Sequence, residues 1–462
     1  MESVVIVLDN KQWVSENFQT CDLGDARRTN RLLKVAESFV DAPDESLPGQ
    51  SPDWADLKAA YRFFDTDDVT FEAICDPHWK QTRNTKKGCY LLISDTTDLD
   101  YTWHSATEGL GMLGNGKGRG IQLHACLMYD LGEKQIVGLA GALTNYRAFK
   151  PKNETRTQCL ARNRESDVWG NLVEQVGSAP EDSQWIHVFD RGGDYFEAMC
   201  RIKRTNNDWV IRASKLNRNV LDCSGKKLKL SEAIEEATEL GTFTISLRST
   251  PRHSARTAKL ALSYCEITFL APNHKSPWLK QSQTKQLQMR VVIAKELNTP
   301  KGNQPICWVI LTSLPIESFA DAWAALEYYE HRWMVEEYNR VAKSGCSIEK
   351  HALRTAERLE AVIGLTSVVA VRLFQLKLVG RNQPDAKAAT HVPSTWLKCL
   401  KLMRPKVKLT EMTVYTFFRE LAKLGGFLGR KHDGEPGWQT IWKGYQRLHQ
   451  TAIGMALAQR LK

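Results

Sequence analysis

Residues 88–102 read GCYLLISDTTDLDYT. The apolar run after Gly88 is short, rich in branched residues and closed by a polar turn, which predicts a buried strand ending at Asp95. Two more strand-like runs follow, GIQLHACLMYD (120–130) and KQIVGLAGALTNY (134–146), with turn residues between them. SQWIHVFDRGGDYFEAM (183–199) adds an apolar run ending at Asp190, then a glycine-rich turn and a helix. WVIRASK (209–215) is a further strand. Strands mixed with helices in this manner predict an α+β (mixed α/β) core.

Outward from this core the pattern changes twice. From about residue 216 to 313, TFTISLRST, KLALSYCEITFLA, QLQMRVVIAKEL and ICWVILTSL predict a β-rich insertion. Residues 1 to about 70 read as helical. In LGDARRTNRLLKVAESFV, Leu32, Val35 and Ala36 recur at helical spacing, and Arg27, Arg28, Arg31 and Lys34 cluster on the same segment. ADLKAAYRFFD predicts a second helix bearing Arg62. From Ile316 onward the chain is mainly helical, with Pro384, Pro393 and Pro405 punctuating the passage to a C-terminal helical unit. The expected organisation is therefore 1–70, 71–370 with the insertion, and 371–462. Ala361–Val371, the most apolar stretch, is broken by Arg372 and reads as a buried helix too short to span a bilayer.

The formal net charge is +10, which favours polyanionic partners, nucleic acid first. From Val371 to Lys462 there are 17 Lys plus Arg against 5 Asp plus Glu, so the C-terminal fifth carries the excess and the rest is nearly neutral. A DNA-facing surface and a helical domain with solvated lysines fit that excess equally. The 11 cysteines form no C-x-x-C pair, so neither a disulfide framework nor a zinc ribbon is expected and a reducing compartment is the natural one. The N-terminus has no basic segment followed by a long apolar run, so no signal peptide is expected.

Asp95 and Asp190 each end an apolar strand, where a carboxylate projects into a site or caps the next turn. EYYEHRWMVEEYNRVAKSG (327–345) adds a helix of unusual make-up. At about 100° per residue, Tyr329, Arg332, Glu336, Lys343 and Arg340 fall within an arc of about 80° around the axis, while Glu337 points away. An apolar stripe seeking a core does not look like this. One reading is a salt-bridged exposed face, with Arg332 and Glu336 as an ordinary pair four residues apart. The other is a site where a carboxylate holds a metal while cations hold phosphates. His104, His124 and His331 are isolated and read as structural.

LGDARRTNRL, AAYRFF, ISDTTDLDY, VFDRGGD, WVILTSLPIES, YYEHRWMVEEYNRVAKSG, AVRLFQL and LAKLGGF, in this order from about residue 13 to 450, resemble the transposase of the Tn-five element and its IS-four-family relatives. The resemblance implies an RNase H-like catalytic core with a β insertion, an N-terminal DNA-recognition domain and a C-terminal helical dimerisation domain. It implies that Asp95 in ISDTT, Asp190 in VFDRG and Glu336 in RWMVEE bind two Mg²⁺, with Mn²⁺ as a substitute. Tyr329, Arg332 and Lys343 would then contact DNA, and Trp308 would stack on a flipped base; by strand context alone Trp308 reads as a core residue. Arg27, Arg28, Arg31, Arg62, Arg212 and Lys215 would be further DNA contacts. The implied chemistry is cut-and-paste transposition in the bacterial cytoplasm: nicking, hairpin formation, reopening and joining to target DNA, by two chains holding two terminal repeats. Asp194, in Arg-Gly-Gly-Asp, departs from the family pattern; Asp190 is preferred because it ends the apolar run. The N-terminal recognition region reads as complete, unlike a truncated inhibitor. A non-catalytic DNA-binding regulator is the alternative. A sugar hydrolase with paired carboxylates would leave the basic C-terminus unexplained.

Overall fold

The computed structural model describes residues 10–114, 116–147, 153–155, 158, 165–247, 255–300, 302–382, 384–430 and 432–460. Five helices open the chain: α1 (Asn10–Phe18), α2 (Ala26–Asp41), α3 (Leu47–Gln50), α4 (Trp54–Phe64) and α5 (Phe71–Arg83). Their starts are written in the sequence. Asp25 accepts the Arg27 N–H, Asp53 the Asp56 N–H and Thr70 the Ala73 N–H, each filling a donor the helix leaves open. Leu32, Val35, Ala36, Phe39 and Val40 form the buried face of α2.

The strands are β1 (Cys89–Asp100), β2 (Gly111–Leu113), β3 (Gly118–Asp130), β4 (Gln135–Asn145), β5 (Gln184–Phe189), β6 (Asp208–Arg212), β7 (Asn219–Leu221), β8 (Lys227–Lys229), β9 (Thr238–Leu247), β10 (Arg256–Leu270), β11 (Gln286–Leu297) and β12 (Cys307–Thr312). They form one mixed sheet of order β2-β3-β1-β5-β6-β12-β11-β10-β7-β8, with β4 beside β3 and β9 beside β10. β1, β5 and β6 run parallel; the other pairings are antiparallel. The parallel pairs require crossovers, and helices α6 (Asp167–Val176) and α7 (Phe196–Arg204) lie in them. The strands of 216–313 are continuous with the core sheet, because β12 pairs with β6 through Ile310 and Arg212.

After β12 come two short helices, α8 (Leu230–Glu235) and α9 (Pro277–Ser282) having been passed within the β-rich stretch, and these two are α10 (Phe319–Glu330) and α11 (Trp333–Arg340). The sequence spacing predicts one unbroken helix here; the structure has two. At His331–Arg332 the bonds tighten to three residues, with Arg332 N–H to Tyr329 O at 3.0 Å and Met334 N–H to His331 O at 3.0 Å. At Val341–Gly345 the turn widens to a π-helix, closed by Cys346 N–H to Val341 O at 2.9 Å. A stripe drawn at uniform spacing therefore fails at its C-terminal end: Lys343 sits in the wide turn and its ammonium bonds the Asp98 carbonyl on β1.

α12 (Ala356–Asn382) follows, then α13 (Ala388–His391), α14 (Ser394–Met403), α15 (Val414–Leu424) and α16 (Trp438–Arg460). Its apolar stretch is longer than the sequence reading allowed: Ala356–Leu376 is long and apolar enough to cross a membrane, and 89% of its apolar window is buried inside the protein. α12 is the central core helix, packed on α5, β4 and α16. Arg372, buried within it, donates to Asn10 Oδ1 at 2.9 Å and Tyr445 Oη at 3.1 Å, so the first and last helices share one polar contact. A single apolar cluster runs from Trp13 to Leu448.

Candidate active site

Strand register builds the site. β1 and β5 pair from Cys89 with Gln184 to Ile93 with Val188. Asp95 follows that last pair by two residues on β1, and Asp190 follows it by two on the other side, just past the end of β5. β5 and β6 pair up to Phe189 with Ile211, one residue before Asp190 and Arg212. All three residues thus lie where the parallel pairing ends, a position from which side chains leave the sheet for a crevice. Asp190 also caps the following turn, accepting the Gly192 N–H at 2.6 Å.

Glu336 enters from the first turn of α11, which packs on β1. Its carboxylate is 50% exposed and accepts from Arg332 Nη1 at 2.7 Å. Burial pushes the Asp95 carboxyl up to about 6; the Thr96 N–H opposes this, Asp190 adds to it, Arg332 opposes it and Glu336 adds to it. Asp95 thus feels both other acids. Glu337 is buried and bonded to Arg340, whereas Glu336 is half exposed and is the one that acts on Asp95.

Tyr329 is 9% exposed, with the Arg332 guanidinium 5.9 Å and the Arg212 guanidinium 6.0 Å from its ring centre. Such contacts each contribute about 0.5–1 kcal/mol at partly exposed positions and fix two cations beside the acids. Lys343 lies further along β1, with Glu349 at 3.7 Å besides the Asp98 carbonyl. Trp308 is half-buried on β12, opposite Ala294, and packs against the core edge. Lys215 is exposed, 5.7 Å from the Tyr195 ring centre. Arg27 is paired with Asp25, Arg28 with Asp68 and Arg31 with Asp56, which offsets part of the basic cluster on α2; Arg62 is exposed on α4. The structure thus gathers Asp95, Asp190, Glu336, Arg332, Arg212 and Tyr329, and holds Lys343 and Trp308 at the margins.

Asp194 is buried, and its carboxylate accepts from Ser214 N–H at 2.7 Å, Ser214 Oγ at 2.9 Å and the Arg218 guanidinium. It fastens the turn after Asp190 to the segment after β6. His124 is the residue that spacing missed. It pairs across the sheet with Thr96, and its Nδ1 is 2.8 Å from Thr96 Oγ1. The Thr96 N–H in turn donates to Asp95 Oδ1 at 2.8 Å. Burial lowers the His124 pKa to about 3, so it stays neutral, its ring edge-on to Trp169 at 4.5 Å. Its only sequence signal is its place on an otherwise apolar strand.

Three carboxylates offer oxygen donors alone, which suits a hard divalent cation. The Asp95 carboxyl is raised chiefly by burial, with a smaller part from repulsion by Asp190 and Glu336. Among the described residues no three of His, Cys, Asp and Glu are gathered tightly enough to hold a metal ion, and Glu336 is engaged by Arg332. His124→Phe removes the bond that orients Thr96 and is expected to weaken Mn²⁺ binding about tenfold, with His124→Gln recovering part of it. Calorimetric titration checks this, and equal affinity in all three proteins would dismiss the positioning role.

Two family models match the ends of the chain. Residues 10–69, α1 to α4, match a model described as transposase DNA-binding. Residues 368–460, from within α12 to α16, match one described as transposase Tn5 dimerisation domain. The three acids lie between the two matches.

Proposed function

Since the chain belongs to the Tn5-type transposases, with a DNA-binding domain at one end and a dimerisation domain at the other, we propose that Asp95, Asp190 and Glu336 form its DNA-cutting and joining site. The observation that carries this reading is the parallel pairing of β1 and β5 up to two residues short of Asp95 and Asp190, together with the electrostatic effect of both Asp190 and Glu336 on Asp95. The order β4-β3-β1-β5-β6, an antiparallel meander extended by two parallel strands, supports an RNase H-like core.

In this reading the three acids would hold two Mg²⁺ ions, or Mn²⁺ in their place, and such ions would supply Lewis-acid activation of a water or 3′-hydroxyl and stabilise the departing oxygen. Arg332, released from Glu336, turns to a DNA phosphate. The Tyr329 ring holds Arg332 and Arg212 in reach. Lys343, Lys215 and Trp308 line the path of the strand, with Trp308 as the platform for an unstacked base. Arg27, Arg28, Arg31 and Arg62 face the terminal repeat, where each phosphate contact steepens the salt dependence of binding. The reaction is cut-and-paste: a nick at the transposon end, a hairpin formed by the freed 3′-hydroxyl, its reopening by water, and joining to target DNA. A second copy of the chain completes the paired-end complex, and the work is done on DNA in the bacterial cytoplasm.

The test is Mg²⁺-dependent nicking of a duplex carrying the inverted repeats that flank the gene. A nick followed by a hairpin product supports the reading. Tight binding of that duplex with no cut at any Mg²⁺ concentration makes the protein a DNA-binding regulator instead.

A further inference from the structure

Trp103 stands on the turn after β1 with 92% of its surface exposed. An indole carries one of the largest apolar surfaces of any side chain, and leaving it in water forfeits its burial. The turn that presents it is firmly built. The Tyr101 N–H donates to Arg119 O at 2.9 Å and the His104 N–H to Tyr101 O at 3.0 Å. The Tyr101 hydroxyl donates to Ile348 O at 2.8 Å, and the Thr107 hydroxyl to Leu353 O at 2.6 Å. Tyr101 itself is fully buried. Trp103 is thus held out from a fixed platform, and little backbone freedom is lost when something covers it.

The platform is joined to the candidate active site. The Asp100 N–H donates to Glu349 Oε1 at 2.8 Å, and Lys343 reaches both Glu349 and the Asp98 carbonyl. Asp95, Lys343 and the Trp103 turn therefore share one wall. Five residues of strand from Asp95 to Asp100 span about 17 Å at about 3.4 Å per residue, the length of about five nucleotides of a DNA strand. The residues flanking Trp103 in the chain are polar or small: Thr102, His104, Ser105 and Ala106. A protein interface sets its aromatic anchors in a continuous apolar core, whereas a lone exposed ring in a polar segment suits the face of a nucleobase.

We propose that Trp103 is a DNA-stacking residue, its indole packing on a base of the strand that crosses the three acids, at least about five nucleotides from the cut. This rests on the DNA-cutting reading of those acids. The DNA is either the transposon end or the target; both present the same base faces.

The test uses the full chain with Trp103→Ala and Trp103→Phe. Binding is measured by fluorescence anisotropy on two duplexes, one carrying the flanking inverted repeat and one of unrelated plasmid sequence. 2-Aminopurine is stepped along each strand. The expected result is about tenfold weaker binding for Trp103→Ala, an intermediate loss for Trp103→Phe and an unchanged thermal midpoint. A 2-aminopurine quenched by the wild-type protein is expected to recover its fluorescence in Trp103→Ala. Loss on the repeat duplex assigns the contact to the transposon end, and loss on the plasmid duplex assigns it to the target. Unchanged binding and quenching on both duplexes overturn the proposal. So does a change in the sedimentation of the DNA-free Trp103→Ala protein, which would make Trp103 a protein contact. Nicking by the wild-type protein is followed alongside. If it nicks and Trp103→Ala binds normally, the stacking inference alone falls. If it never nicks while Trp103→Ala binds more weakly, the catalytic reading falls and the stacking stands.

Discussion

Asp95→Asn is expected to stabilise the metal-free protein while abolishing Mg²⁺-dependent nicking. Folding raises the Asp95 carboxyl from its ordinary 3.8 to about 6, chiefly by burial. The folded state then prefers the protonated form more than the unfolded state does. Stability contributed by this group is present below about pH 4 and is lost as pH rises to about 6, so at pH 7 the charged acid costs on the order of 3 kcal/mol. Asparagine removes the charge and the cost. In EDTA at pH 7 the thermal midpoint of Asp95→Asn is expected to exceed that of the wild type by a few degrees, and the gap should close by pH 4. A lower midpoint at pH 7, or a gap that does not change with pH, would show that Asp95 is not a strained acid. The same strain is what a bound cation relieves, so one substitution trades function for stability.

Gly444→Ala is expected to disrupt the packing of α15 against α16. A Cβ at Gly444 would lie 1.8 Å from the Leu421 carbonyl oxygen, and one at Gly425 would lie 1.9 Å from the Thr440 carbonyl oxygen. These are backbone collisions that no side-chain rotation relieves. Alanine gains about 1 kcal/mol of helix propensity in the interior of α16, so the glycine is kept for the close approach. Forcing the helices apart disturbs the buried rings of Phe417, Phe418, Trp442 and Tyr445, with an expected loss of about 3 kcal/mol. Because both glycines lie in the segment matching the dimerisation domain, formation of a paired-end complex on a native gel should fall with the thermal midpoint. A midpoint and a paired complex indistinguishable from wild type would refute the close crossing.

Local patterns were legible in the sequence where one residue type at one spacing has one physical meaning. The apolar runs that lead to Asp95 and Asp190 are strands, and they pair in parallel. The first does not turn at Asp95 as its polar residues suggest but continues to Asp100, paired with β3 up to Gly120. Features set by distant packing were not legible. The π-turn at Val341–Gly345 exists where Lys343 bonds β1 and where a Cβ on Gly345 would collide with Trp438. Neither partner is near in sequence. The same holds for the joining of β12 to β6 and for His124, which meets Thr96 only through the register of β3 on β1. Tyr329 was read as part of a polar stripe; its ring is buried between two guanidinium groups, a placement set by β6 as much as by its own helix.

The most direct test of the three-acid site compares Glu336→Ala with Glu337→Gln in Mg²⁺-dependent nicking of the flanking-repeat duplex, each protein first checked for wild-type folding and DNA binding. Glu336→Ala is expected to lose at least about a hundredfold in rate, while Glu337→Gln, whose carboxylate is buried and bonded to Arg340, stays within a few-fold of wild type. A Glu336→Ala protein that nicks at the wild-type rate would contradict the assignment.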